Sequence, residues 1–127
     1  ESYDPNRDLI ELELDVESIG MNLETAHPCG LILNELVSNA FKHAFPHNRS
    51  GKIWVKLHQN SDNVVALTVR DNGIGFPQNI DFRQVDSLGM ELVCTLIDQL
   101  DGHIELIRDN GTTFDLTFKE LQYRQRY

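Results

Sequence analysis

Positive charge, cysteine and long apolar runs are all scarce in this chain. Its 127 residues hold 11 Lys and Arg against 20 Asp and Glu, a formal net charge of −9 at pH 7. With no Lys/Arg cluster to neutralise a phosphate backbone, no nucleic-acid footprint is expected. One small polyanion stays compatible with that balance, provided a divalent cation and local donors supply the positive field. No apolar stretch approaches the ~20 residues of a membrane-spanning helix and no signal-peptide pattern opens the sequence, so no membrane contact is expected. Cys29 and Cys94 lie far apart among apolar neighbours. They read as buried, reduced thiols rather than a disulfide or metal pair, and so suggest a cytoplasmic location. The five histidines form no HExxH pair, and no zinc site is expected.

What is present is ordinary for a globular protein: 40% hydrophobic and 24% charged residues. Residues 9–16 (LIELELDV) alternate apolar and acidic with period two, a half-buried strand. Thr25 is a candidate N-cap with Pro28 in the first turn, and the helix should stop before Pro46. Within residues 31–45, Leu33, Leu36, Val37, Ala40, Phe41 and Ala44 share one face. Glu35, Asn39 and Lys42 fall within an arc of roughly 60° on the other, flanked by Asn34, Ser38 and His43. A solvated amphipathic helix and a binding helix account equally well for that stretch alone.

The HNRSG turn at residues 47–51 leads into two strands, 52–58 and 63–70, joined as a hairpin. A glycine-punctuated loop follows, DNGIGFP at residues 71–77, and then residues 78–86, which have no clear period. Leu88, Leu92, Val93, Leu96, Ile97 and Leu100 mark a helix that Asp101-Gly102 ends. A last hairpin pairs residues 103–107 with 113–118 across Asp109-Asn110-Gly111. The order predicts an α+β fold, a two-layer sandwich with one mixed, mostly antiparallel sheet and helices on one face. We expect one domain over residues 1–127, with its core at about 9–118.

Gly73-x-Gly75 lacks the third glycine of a dinucleotide fingerprint, and no Gly-Lys-Ser/Thr follows to make a P-loop. Taken alone it is a turn in which glycines supply positive φ. Its distinctive residue is Asp71, at a strand end just ahead of two glycines. A carboxylate there can accept from an exocyclic amine such as adenine N6 while the glycines let backbone pass close to a flat ring.

NELVSNAFKHAF, DNGIGF, SLGM and GTTF, in this order and spacing, resemble the ATP-binding domain of the histidine-kinase, gyrase, Hsp90 and MutL superfamily. The chain is most similar to the catalytic domain of two-component sensor histidine kinases whose N-box reads NELxxNAxKHAF. The resemblance implies a Bergerat-type fold that binds ATP and Mg²⁺. It implies Asn39 as the protein ligand of Mg²⁺, Lys42 at the phosphates and His43 beside the nucleotide. It implies Asp71 at adenine with Gly73 and Gly75 shaping the ring pocket. Ser87, Leu88, Gly89 and Met90 would offer backbone N–H groups to the phosphates at a helix N-terminus, Thr113 would lie beside adenine, and residues 78–86 would form the lid. Ser87 departs from the glycine that usually opens its box, and the lid is short. Glu35 sits where the gyrase and MutL branch carries a water-activating glutamate, so general-base hydrolysis is chemically available; support of the Mg²⁺ shell or of Lys42 is the favoured role.

The implied function is transfer of the γ-phosphoryl group of Mg·ATP to a histidine on an upstream helical-hairpin domain. A response regulator is then the indirect partner and a homodimer the parent. None of the five histidines sits on such a hairpin, so the chain is expected to bind ATP and not to phosphorylate itself. Three other readings compete: an ATP-hydrolysing conformational module of the gyrase or Hsp90 kind, an anti-sigma-factor-type serine kinase, and a non-enzymatic domain that keeps only the fold.

Overall fold

The computed structural model describes residues 9–17, 20–47, 49–76 and 88–119. They form strand β1 (Ile10–Val16), helix α1 (Leu23–His43), strands β2 (Gly51–Gln59) and β3 (Val64–Asp71), helix α2 (Leu88–Gln99), and strands β4 (His103–Ile107) and β5 (Thr112–Lys119). The sheet order is β1-β2-β3-β5-β4, with β1 parallel to β2 and every other pair antiparallel. Parallel neighbours need a long crossover, and α1 supplies it. The expected two-layer α+β architecture is what the chain adopts.

Period-two alternation places one face of β2, β3 and β5 under the helices. Ile53 and Val55 of β2, Val65, Leu67 and Val69 of β3, and Phe114, Leu116 and Phe118 of β5 are buried on that face. Leu67 sits opposite both Leu57 and Leu116, so β3 runs through the middle of the apolar layer. Helix α1 packs on β3, α2 on β4, and the helices on each other. β1 lies at the far edge of the sheet from α2. Its expected apolar side is therefore largely uncovered: Ile10 is buried, but Leu12, Leu14 and Val16 are 43%, 62% and 52% exposed.

Helix α1 starts earlier than its sequence suggests. The N-cap is Asn22, whose side chain accepts the Thr25 N–H at 3.0 Å; Thr25 itself is helical and fully buried. Pro28 consequently lies past the first turn, inside the helix, and costs it one backbone hydrogen bond. The buried seam runs Cys29, Ile32, Leu36, Ala40, an i, i+3/i+4 ridge, while Leu33, Val37 and Phe41 flank the core partly covered. The helix ends at His43, and Ala44 closes it through an N–H bond to the Ala40 carbonyl. At the end of α2, Asp101 takes the left-handed conformation (φ 53°) and the Gly102 N–H donates to Ile97 O at 2.9 Å.

Loss of the Asn22 side chain removes the shorter of two bonds from the Thr25 N–H and keeps the 3.2 Å bond to the Asn22 carbonyl. Asn22→Ala should therefore cost about 1 kcal/mol of stability, read as a lower urea midpoint at an unchanged slope, and Asn22→Asp should retain most of it.

Candidate nucleotide site

The last residue of β3 is a buried acid. Alternation carries Val65, Leu67 and Val69 into the core, and the next residue on that face is Asp71, a carboxylate only 5% exposed. Two backbone donors meet it: the Gly73 N–H reaches Oδ1 at 2.9 Å, and the Thr112 N–H comes from the facing strand. Burial nevertheless pushes the Asp71 carboxyl above its ordinary value, against the pull of those two bonds and of the Arg49 guanidinium nearby. A buried carboxylate that its own protein undercompensates is poised for an external donor.

Gly73 is glycine because the loop turns hard against α1. A Cβ there would overlap the Ala44 carbonyl oxygen, and the next amide, Ile74 N–H, donates to that same oxygen at 2.9 Å. The contact pins the loop after β3 to the C-terminal turn of α1. Lys42 and His43 are exposed in that turn. Asn39 is half-buried, about 7.5 Å back along the helix axis from Ala44 at 1.5 Å per residue. Glu35 lies one turn further and is also half-buried. On the other side, Gly111 (φ 131°) brings the β4–β5 turn so close that a Cβ would overlap the Asp71 carbonyl oxygen. One junction thus gathers Asp71, the Gly73–Gly75 loop, the end of α1 and the start of β5.

Thr113, the threonine implied beside adenine, lies on the wrong face of the sheet. The register sets Asp71 opposite Thr112 and Arg70 opposite Thr113. Directly opposed antiparallel residues share a face, so Thr112, 7% exposed, is the threonine beside Asp71, and Thr113 points to the open face. The paired threonines carried a period-two ambiguity that only the register resolves. Arg49 was also missed, being read only as part of a turn.

At the start of α2, Leu88 is exposed, Gly89 half-buried and Met90 buried at 3%, so the Met90 side chain serves the core. Ser87 and residues 78–86 lie outside the described residues. Among the described residues no group of three or more His, Cys, Asp and Glu could hold a metal ion. Cys29 and Cys94 form no disulfide with each other; Cys29 is buried, and burial pushes its thiol up. No helix among the described residues is long and apolar enough to cross a membrane.

The model of the histidine kinase-, DNA gyrase B- and HSP90-like ATPases matches residues 25–122. A blue-light-activated histidine kinase of Erythrobacter litoralis is 28% identical over 107 residues, 84% of this chain and 31% of that protein. The sensor histidine kinase PdtaS of Mycobacterium tuberculosis is 35% identical over 86 residues, 65% of this chain and 17% of that protein. This chain thus spans less than a third of either relative. Among solved structures, the histidine kinase domain of the Erythrobacter litoralis EL346 blue-light-activated kinase superposes with a TM-score of 0.85 at 26% identity, covering 91% of this chain and 57% of that one.

Because burial raises the Asp71 pKa in the folded state, its proton is held more tightly folded than unfolded. Stability contributed by that proton is complete below the ordinary value of 3.8 and is lost as pH rises through the higher folded value. Nucleotide-free Asp71→Asn should accordingly match or exceed the parent in urea stability at pH 7, with the advantage shrinking as pH falls toward 4. A variant clearly less stable at pH 7 would contradict the undercompensated carboxylate.

Proposed function

The chain belongs to the histidine kinase-, DNA gyrase B- and HSP90-like ATPase family, and from that premise we propose that it is the ATP-binding catalytic domain of a sensor histidine kinase. The observation that carries the reading is Asp71: a buried, undercompensated carboxylate at the end of a central strand, beside a glycine loop with no side chain in the way. Such a group accepts a hydrogen bond from the exocyclic amine of adenine. Thr112, on the same face, adds a hydroxyl within the same pocket.

With adenine on Asp71, the phosphates extend toward the end of α1 and the start of α2. Lys42 supplies positive charge there, His43 a ring donor, and the backbone at Leu88, Gly89 and Met90 a helix N-terminus. Asn39 would hold Mg²⁺ through its side-chain oxygen together with phosphate oxygens; when bound, the cation neutralises charge developing on the transferred group. Glu35, one turn before Asn39 on the same side of α1, acts as a positioning residue for that polar face. The protein's part in phosphoryl transfer is positioning and electrostatics. A ring nitrogen of the acceptor histidine forms the new P–N bond, the bond from the γ-phosphorus to the β–γ bridging oxygen breaks, and ADP leaves. The acceptor belongs to a separate helical-hairpin domain of a homodimeric, cytoplasmic parent, and a response regulator takes the phosphoryl group next. None of the described histidines lies on a paired helical hairpin, and in this reading ATP binds without self-phosphorylation.

Binding to the native state alone must raise stability. Mg·ATP at 100 times its Kd should stabilise the chain by about 2.7 kcal/mol, visible as a higher melting temperature. Asn39→Ala should remove most of the Mg²⁺ dependence of that shift, and Lys42→Ala should weaken ATP more than adenosine. Radiolabel from γ-labelled ATP appearing covalently on the chain would contradict the reading, as would a melting temperature indifferent to Mg·ATP.

A further inference from the structure

In the loop after Asp71 each peptide unit must find a partner for its N–H. The Asn72 N–H donates to the Lys52 carbonyl at 3.3 Å, and the Asn72 side chain accepts the Lys52 N–H at 2.8 Å. Further on, the Ile74 N–H donates to the Ala44 carbonyl at 2.9 Å. The unit between them, joining Asn72 to Gly73, is held by side chains instead. Its N–H meets Asp71 Oδ1 at 2.9 Å, and its carbonyl accepts from Arg49 Nη2 at 3.4 Å. A trans peptide is planar, with N–H and C=O pointing opposite ways, so whatever holds the carbonyl also aims the N–H.

We propose that Arg49 is a positioning residue of the nucleotide site: by holding the Asn72 carbonyl it keeps the Gly73 N–H on Asp71, and so orients the carboxylate that receives adenine. Arg49 is placed for this by the turn that follows α1, where its own N–H donates to the Pro46 carbonyl at 3.1 Å. Its side chain borders the same cavity as Asn72, Gly73 and Gly75. A bond of 3.4 Å is long for its kind, but a charged donor strengthens it. Arg49 is exposed, so removing its side chain leaves the core intact.

Glycine at position 73 gives that hold something to oppose. Without a Cβ, the residue lets the peptide plane ahead of it turn at little steric cost. Turned over, the unit would set a carbonyl oxygen against the Asp71 carboxylate in place of a donor. The guanidinium works in the same direction through its charge, which favours the ionised carboxylate. An Asp71 already held on one oxygen loses less freedom when the amine of adenine binds. That last step rests on the adenine reading of Asp71; the hold of Arg49 on the Gly73 peptide does not.

The test is heteronuclear NMR of the intact chain without nucleotide, followed by calorimetry with nucleotide and Mg²⁺. Arg49→Gln should move the Gly73 amide proton upfield and speed its exchange with solvent, at an unchanged melting temperature. Arg49→Lys, which keeps a charged donor, should restore most of the parent signal. In calorimetry Arg49→Gln should raise the ATP Kd about fivefold, and Arg49→Lys should stay within about twofold of the parent. Inosine triphosphate, which lacks the exocyclic amine, should lose no affinity in either variant. A Gly73 amide unmoved in Arg49→Gln would overturn the proposal. So would an equal loss for both nucleotides, which would place Arg49 on a part that the two share. A Gly73 amide that moves in Arg49→Gln, in a chain whose parent binds neither nucleotide, would sustain the hold of Arg49 on the loop and reject the adenine reading alone.

Discussion

Everything in this fold that bears on chemistry depends on one uncomfortable placement, the Asp71 carboxylate inside an apolar layer. β3 delivers it there because its neighbours on the same face, Val65, Leu67 and Val69, are core residues, and alternation leaves the strand no other option. Two backbone donors and a nearby guanidinium offset part of the desolvation, and the carboxyl is still pushed upward. A sequence selected for stability alone would place an apolar residue or an amide at that position. Retaining the acid makes sense when a ligand completes its hydrogen bonding.

The surroundings follow from that placement. Gly73 lets the loop turn against Ala44, whose carbonyl accepts the Ile74 N–H, so the end of α1 cannot drift away from the carboxylate. Gly111 lets the β4–β5 turn close over the Asp71 backbone and puts Thr112 on the same face. α1, as the crossover that makes β1 and β2 parallel, passes its polar row over the same junction. A net charge of −9 opposes a triphosphate; in the proposed function Lys42, His43 and the start of α2, with a divalent cation, would answer it at short range, where the long-range field of the surface acids is screened.

Much of this was legible before any coordinates. The hydrophobic periods located the strands and helices of the described residues, and Asp71 with its glycines was singled out as the candidate for chemistry. What escaped depends on long-range arrangement. Asn22 and Thr25 are both good caps three residues apart, and only the packing of Thr25 into the core shows which of them is inside the helix. Thr112 and Thr113 are adjacent and chemically identical, so the choice between them is made by strand register, which the Gly111 turn fixes. β1 alternates as a half-buried strand should, yet its exposure depends on where the helices lie on the sheet. Arg49 sits 22 residues before Asp71 in the sequence, and no local pattern connects them. The lid expected at residues 78–86 falls outside the described residues.

The central claim is that the Asp71 carboxylate reads the exocyclic amine of adenine. Inosine triphosphate, which carries a carbonyl oxygen where ATP carries that amine, tests it directly by calorimetry against ATP in the presence of Mg²⁺. A carboxylate facing that oxygen is unpaired and repelled, so ATP should bind the parent chain at least about tenfold more tightly than inosine triphosphate. Asp71→Asn should collapse the difference. Equal affinities for the two nucleotides, or a preference that survives Asp71→Asn, would contradict the account.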